Sequence, residues 1–420
     1  MTTPYNFLSM KDRVVRWLES LRVKNTSYGV YKFCEKGSST LMSSCFAVFT
    51  RELLNDLSSL SDKERKDWIQ YIKNTQDINT GLFIDPLLNE HNLSSKFSRE
   101  YVLHQNTMFC LSALNALGAE PDYDLKIINS YRDASSIVEW LKKLNWSRPW
   151  LISNEIMFIM YFLREDYERN QSERSLGSLN AIFDYLDRTQ DPNTGFWGTN
   201  DGANIFNGMA GAFHLYLFYF YFEHKIKYEE KIIDATLALQ NTDGLFNPAG
   251  GGGHCEDLDA IDILVKFSMV SSYREVDIKK ALMRACDGIV KNQNHDGGFC
   301  YAKMYRCTLS EWLDCLKLVK PKLGLNFKTR LWMLEMKFGK QLLYPLIKDW
   351  VWKYSGWKVM SCRINQSDIW STWFRLLALA LISSRYPEEF DTDVAWKFRK
   401  NAGLGWHSNT IGEDVILKKN

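Results

Sequence analysis

Two kinds of hydrophobic pattern alternate along this chain. Amphipathic stretches, with apolar residues on one face, cover residues 228–239 and 277–291. Other stretches are apolar on nearly every side, and they cover residues 99–117, 154–162, 205–222, 257–267 and 368–382. Because a helix that is apolar all round must be surrounded by protein, the second set belongs inside the first. The pattern predicts an all-α fold with an inner and an outer ring of helices.

A short signature recurs between these helices: a Gln, three or four further residues, a Gly, any residue and then an aromatic residue. Its copies begin at Gln76, Gln190, Gln240 and Gln293. The Asp, Asn, Thr and Gly residues within it are typical of turns, in which glycine supplies a left-handed backbone. We expect the Gln side chain to hydrogen-bond backbone groups at helix ends, and the aromatic residue to pack beneath it.

The spacing of the signature predicts further copies. The first gap is about twice as wide as the others, which predicts a decayed copy near residues 140–150. A Gly-x-Tyr sequence from Gly29 to Tyr31 marks another copy near the amino terminus. About six helical-hairpin repeats are therefore expected, forming one (α/α)6 toroid domain over residues 1–420.

Composition narrows the class of protein. Hydrophobic residues make up 45% and charged residues 24% of the 420 residues, which excludes wholesale disorder. A net charge of +2 gives no support to a nucleic-acid partner. Residues 1–17 have no long apolar core, and the nine cysteines are scattered without a CxxC pair. These features predict no secretory signal and a reducing, cytoplasmic location.

The richest chemical cluster follows a run of four glycines, Gly250 to Gly253, which predicts a flexible lead-in. Six polar residues then occur within nine positions: His254, Cys255, Glu256, Asp257, Asp259 and Asp262. Acids in the first turn of a helix are stabilised by its dipole, which gives Asp257 a structural interpretation. A carboxylate on a buried helix is costly unless it is paired or used. We therefore treat Asp257, Asp259 and Asp262 as catalytic candidates.

The Gln repeats resemble the QW-type motifs of the terpenoid cyclase and protein prenyltransferase superfamily, over roughly residues 60–300. That resemblance implies an α/α toroid of inner and outer helices. Asp257-Leu258-Asp259 is similar to the Asp-x-Asp-Asp motif of class II terpene cyclases, which implies that Asp259 is a general acid that protonates an alkene or epoxide. Ala260 stands where that motif has its final Asp.

The same superfamily includes prenyltransferases that bind zinc through Asp, Cys and His. Residues of those types occur at His254, Cys255, Asp257 and Cys300. The family's Asp-x-Cys spacing is missing, and adjacent His and Cys side chains rarely converge on one metal. We expect no metal and no other cofactor.

Other candidates are polar or aromatic residues on the inner helices or near the carboxyl end. Asp368 is equally interpreted as a helix N-cap, Trp370 and Trp373 as core, and a lone histidine as a hydrogen-bonded core residue. The candidate substrate-binding residues are His104, Asn154, Glu155, Asn207, His254, Arg306, Asp368, Trp370 and Trp373.

Three functions remain open. The first is a class II-like cyclisation or isomerisation of an isoprenoid, with Asp259 as the acid. The alternative is a carbohydrate-active hydrolase, lyase or epimerase that uses two carboxylates, Glu155 with Asp259 or Asp259 with Asp368. The third is a non-catalytic toroid that binds a ligand or partner, in which Asp257, Asp259 and Asp262 are all satisfied by backbone or Arg. A small-molecule substrate is expected, and peripheral membrane association would require an exposed apolar patch.

Overall fold

The computed structural model describes residues 6–93, 97–199, 204–303, 325–343, 346, 350–390 and 394–407. Helices dominate this part of the chain, so the predicted all-α class is confirmed. The helices are α1 (Phe7–Ser20), α2 (Leu41–Leu53), α3 (Asp62–Lys73), α4 (Arg99–Leu117), α5 (Ala134–Lys143), α6 (Pro149–Asn170), α7 (Glu173–Thr189), α8 (Ile205–Tyr221), α9 (Glu229–Leu239), α10 (His254–Val270), α11 (Glu275–Val290), α12 (Phe327–Leu342) and α13 (Ile369–Arg385).

Shorter elements lie between the helices. In the described residues, the strands β1 (Val351–Lys353) and β2 (Ser361–Arg363) pair antiparallel, with Trp352 opposite Cys362. Short 3-10 helices cover Leu57–Ser59, Glu90–Asn92, Lys126–Ser130, Tyr354–Gly356 and Pro387–Glu389.

The chain's internal contacts divide it into two compact units. Unit 1 comprises Met1–Ile127, Lys291–Lys303 and Asp349–Asn401, and unit 2 comprises Ile128–Val290, Met304–Lys348 and Ala402–Asn420. The expectation of a single domain over residues 1–420 stays a prediction.

Three buried helices form the centre of unit 1. Helix α2 packs against both α4 and α13, and α3 packs on the outer side of α4. Every residue of α2 is buried, including Arg51 and Glu52, although the hydrophobic pattern did not single this helix out. Phe46 of α2 lies between Phe109 of α4 and Trp370 of α13, with ring centroids 5.1 and 4.6 Å away.

Unit 2 has the same plan. Helix α8 lies between α6 and α10, while α7 packs on α6, and α9 and α11 pack on α10. Helices α6 and α8 approach each other closely at Gly211, which has no side chain. A Cβ atom there would lie only 2.9 Å from the carbonyl oxygen of Pro149. The four predicted all-apolar helices that correspond to α4, α6, α8 and α10 are buried as expected.

The Gln of each signature ties its own turn together. The Gln240 side-chain amide donates to the carbonyl oxygen of Gly244 at 2.8 Å and to that of Ala281 in α11 at 2.7 Å. Gln76 donates in the same way to Gly81 and to Tyr123, at 2.9 and 2.7 Å. The expectation that this Gln binds backbone groups is confirmed. Because Ala281 lies within α11, the hydrogen bond from Gln240 also links this turn to the next outer helix.

The two further predicted copies stay a prediction, and each lies between two helices: α5 and α6 in one case, α1 and α2 in the other. Near residues 140–150, helices α5 and α6 are joined by a short turn in which the Trp146 indole donates to the carbonyl oxygen of Leu141 at 3.1 Å. Trp197 makes the equivalent bond to Leu186 at 2.9 Å in the intact copy. Near the amino terminus, Gly29 has a φ of +108° and lies directly against the ring of Trp68.

Candidate functional site

The glycine run that leads into α10 is buried and hydrogen-bonded rather than loose. Gly250, Gly251 and Gly252 have φ values of +76°, +78° and +80°, which only glycine adopts without strain. The Gly251 N–H donates to the carboxylate of Asp243 at 2.6 Å. The expected flexible lead-in is therefore wrong, because these bonds fix where α10 begins.

Asp257 holds this loop in place. Its two carboxylate oxygens accept hydrogen bonds from the backbone N–H groups of Phe246 at 2.7 Å and Gly253 at 3.0 Å. Phe246 is the aromatic residue of a Gln signature, so the same carboxylate joins the turn to the first turn of α10. Asp257 occupies the structural role that its position in the first turn predicts.

Asp259 has a different environment. Its side chain is only 1% exposed, and within the described residues its Oδ2 atom has no hydrogen-bond partner. Burial raises the pKa of this carboxyl well above its usual range, and the negative charges of Glu256, Asp262 and Asp257 raise it further. These effects favour the neutral form of the Asp259 carboxyl, which is the form that can donate a proton.

Asp262 is paired. The Lys266 ammonium, one helical turn later, donates to both of its carboxylate oxygens at 2.5 and 2.6 Å. Both side chains are buried, and the Lys266 nitrogen lies 5.4 Å from the ring centroid of Trp406. Burial raises the pKa of Asp262 and lowers that of Lys266, while each partner opposes the shift of the other. Lys266 went unnoticed in the sequence, although its i, i+4 spacing from Asp262 is a recognisable signal.

His254 and Cys255 are the first two residues of α10. The Nε2 atom of His254 lies 3.0 Å from the Cys255 sulfur, so the two side chains face each other. Cys300 belongs to unit 1, where its sulfur contacts the carbonyl oxygen of Asn292 at 3.4 Å. Among the residues that the structure describes, no three His, Cys, Asp or Glu side chains are placed to hold a metal ion.

Three further candidates lie near the starts of α6 and α8 in unit 2. Asn154, Glu155 and Asn207 are all half-buried. The Asn154 amide donates to the carbonyl oxygen of Trp150 at 2.8 Å, and the Asn207 amide donates to Asn204 at 2.6 Å. The rings of Trp150 and Phe206 meet edge to face at 6.2 Å, so polar and aromatic groups are mixed at this end of the helices.

His104 and Asp368 lie in unit 1, whereas the acids of α10 lie in unit 2. His104 is buried, which lowers its pKa, and its Nε2 atom lies 3.9 Å from Glu100. Asp368 caps α13 by accepting from the Ser371 N–H at 2.7 Å, and it also accepts from the Tyr354 hydroxyl at 2.9 Å. Burial raises its pKa to about 6. The N-cap interpretation of Asp368 is confirmed.

Trp370 and Trp373 share one aromatic cluster with other rings of unit 1. Trp370 stacks on Phe46 at 4.6 Å, and Trp373 meets Phe46 at 5.5 Å. Both tryptophans are almost fully buried, as expected for core residues. Arg306 lies outside the described residues.

One face of α12 carries exposed apolar side chains: Phe327, Leu331, Phe338 and Leu342. This is the kind of patch that membrane docking requires, and docking itself stays a prediction. Within the described residues, the helices are too short or too polar to cross a bilayer.

Comparison with known proteins gives one family and two similar folds. The prenyltransferase α/α toroid domain family matches residues 8–151 and again residues 151–306. No curated protein matches the chain. A glycoside hydrolase family 76 α-mannanase from Bacteroides thetaiotaomicron is 12% identical with a TM-score of 0.39, over 81% of this chain and 97% of its own. A polysaccharide lyase is 12% identical with a TM-score of 0.39, over 82% of this chain and 99% of its own.

None of these comparisons is specific to a terpene cyclase. The family match covers both the Gln signatures and the acidic cluster of α10. The toroid fold and the superfamily resemblance that the signatures predict are confirmed, because this chain belongs to the prenyltransferase α/α toroid domain family.

Proposed function

We propose that this chain is an enzyme in which the buried carboxyl of Asp259 protonates a small-molecule substrate. The observation that carries the proposal is the contrast among three acids on one helix. Asp257 is satisfied by two backbone N–H groups, Asp262 by Lys266, and Asp259 keeps a buried oxygen with no partner in the described residues. A non-catalytic toroid would satisfy all three.

Acid catalysis explains why such a costly arrangement is kept. A carboxyl with a raised pKa keeps its proton at a pH where an ordinary carboxyl has ionised, so it still has a proton to give to a substrate. Burial and three neighbouring acids raise the pKa of Asp259 and so favour its protonated form. The rest of α10 fixes this carboxyl in place, because Asp257 anchors the start of the helix.

The substrate class that we propose is a carbohydrate. Half-buried Asn154 and Asn207 offer amide donors and acceptors that suit sugar hydroxyls, and Trp150 offers an aromatic face for the apolar side of a sugar ring. Glu155 is a second carboxylate of unit 2. In this scheme Asp259 gives its proton to the leaving-group oxygen while Glu155 acts as base or nucleophile.

An isoprenoid substrate is the second candidate. The family match and the Asp257-x-Asp259 sequence favour it. Protonation of an alkene needs only one acid, and on α10 the other two aspartates are occupied. The presence of Ala260 at the motif's final position counts against this candidate.

A thermal-shift experiment on wild type and Asp259→Asn tests the proposal. The panel contains oligosaccharides, sugar nucleotides, isoprenoids and isoprenoid diphosphates. A ligand at about 100 times its Kd adds roughly 2.7 kcal/mol of stability. We expect stabilisation by an oligosaccharide and loss of its turnover in Asp259→Asn. If only an isoprenoid stabilises the protein, the isoprenoid is favoured over the carbohydrate as the substrate. If Asp259→Asn retains turnover, Asp259 is not the catalytic acid.

A further inference from the structure

The first turn of α10 presents a cysteine in unusual surroundings. Among the cysteines in the described ranges, Cys255 is the half-buried one, while Cys34, Cys45, Cys110, Cys286, Cys300 and Cys362 are buried. Burial raises the pKa of several of these thiols, to about 12 for Cys286. Such thiols are inert because the thiolate, and not the thiol, is the nucleophile.

Two features of its position activate Cys255. The imidazole Nε2 of His254 lies 3.0 Å from its sulfur, within reach to accept the thiol proton. Cys255 is also the second residue of α10, where the positive end of the helix dipole stabilises an anion. The N-cap residue is Gly253, which has no side chain to satisfy the first-turn N–H groups.

A second observation concerns the same side of the helix. Asp259 follows Cys255 by four residues, so the two side chains share one face of α10. The Oδ2 atom of Asp259 is buried without a partner in the described part of the chain. A buried polar atom without a partner calls for an explanation, and a ligand beside the sulfur supplies one.

We propose that Cys255 is a nucleophile that forms a thioether with a ligand carrying an alkene conjugated to a carbonyl. His254 takes the thiol proton as the sulfur bonds to the β-carbon of the alkene. The π electrons of the alkene move to the α-carbon, which takes the proton of the Asp259 carboxyl. The step leaves an imidazolium and a carboxylate, so no oxidant, reductant or leaving group is needed. This proposal for Cys255 rests on the proposed function in one respect: both take Asp259 as the group that faces the ligand.

Timed labelling with N-ethylmaleimide, an alkene conjugated to two carbonyls, tests this directly. The folded full chain is treated at pH 7, denatured and digested, and the label at each cysteine is measured by peptide mass spectrometry. We expect Cys255 to react at least about tenfold faster than free glutathione and far faster than Cys286. His254→Gln should lower the rate at Cys255 by about tenfold, because it removes the base. Cys255→Ser removes the fast adduct and shows which peptide carries it.

The outcomes separate this proposal from the proposed function. A rate at Cys255 no faster than that of glutathione, or unchanged in His254→Gln with an unchanged Tm, overturns the nucleophile. Fast, His254-dependent labelling supports Cys255 as the nucleophile even where Asp259→Asn retains full turnover, a result that overturns the proposed function and Asp259 as the proton donor of the addition. Slow labelling together with loss of turnover in Asp259→Asn overturns the nucleophile and supports the proposed function.

Discussion

The Lys266 ammonium lies 2.5 and 2.6 Å from the two carboxylate oxygens of Asp262, and both side chains are cut off from solvent. This pair neutralises one carboxylate of α10, but it lies one turn beyond Asp259. The Asp262 charge still raises the pKa of Asp259. Lys266 therefore stabilises the Asp262 carboxylate, and the charge of that carboxylate favours the protonated form of Asp259.

Removing one partner of this pair should destabilise the protein strongly. Lys266→Met leaves a buried carboxylate without its cation, which typically costs about 3–5 kcal/mol of unfolding free energy. The double variant Asp262→Leu/Lys266→Met replaces both charges with apolar groups of similar size, and we expect it to recover most of that loss. Urea unfolding of the two variants measures the difference. If the double variant is no more stable than Lys266→Met, the loss of stability does not come from the unpaired carboxylate of Asp262.

Asp259→Asn should stabilise the protein increasingly as the pH rises. Because the folded-state pKa of Asp259 is raised, the folded protein binds the proton more tightly than the unfolded chain. Wild type therefore loses stability as the pH rises from the ordinary carboxyl pKa towards the raised one, while the amide does not titrate. We expect the Tm advantage of Asp259→Asn to be larger at pH 7 than at pH 4. An advantage that is independent of pH would show that the carboxyl ionises normally.

Asp368 and Asp133 provide a matched pair of N-caps with opposite pH dependence. Burial raises the pKa of Asp368 from 3.8 to about 6, so its contribution to stability falls as the pH rises from 4 to 6. Hydrogen bonds from Ser135 and Ser136 lower the pKa of exposed Asp133 from 3.8 to about 2, so its contribution is lost as the pH falls from 4 to 2. The Asn variants keep each cap but do not titrate.

The Tm of wild type relative to each Asn variant, followed from pH 2 to pH 7, measures these contributions. For Asp368→Asn we expect the wild-type advantage to shrink between pH 4 and pH 6. For Asp133→Asn we expect it to grow between pH 2 and pH 4. If the Tm difference between wild type and variant changed with pH in the same direction for both aspartates, the opposite pKa shifts of the two caps would be contradicted.

Gly244→Ala should destabilise the protein more than Gly118→Ala. Both glycines have positive φ values, +86° and +79°, so each substitution carries a backbone penalty of about 1–2 kcal/mol. At Gly244 the new Cβ would also lie 2.3 Å from the carbonyl oxygen of Arg284, whereas nothing lies within 4 Å at Gly118. The Tm values of the two variants, measured by thermal unfolding, give the extra cost of the close contact between the turn and α11. Equal losses would show that the turn can move away from α11.

Much of the fold could be predicted from hydrophobic periodicity and from the Gln signature. Helix α4 begins and ends at the predicted residues, because Ser98 caps its start and the left-handed Gly118 ends it. Helix α2 escaped notice because Arg51 and Glu52 make its end look polar. Both are buried, and Arg51 pairs with Asp56 and with Glu19, a residue distant in sequence.

The candidate site shows the same division. The sequence by itself determined that three aspartates would lie near the start of one buried helix, because local spacing and helix geometry fix which residues share a face. Only the tertiary structure decided their chemical states. Asp257 accepts a hydrogen bond from the N–H of Phe246 in the preceding turn, and burial raises the pKa of Asp259. Burial depends on how the helices pack against one another, and the hydrogen bond from Phe246 depends on the path of the loop before α10, so residue spacing alone could not predict either.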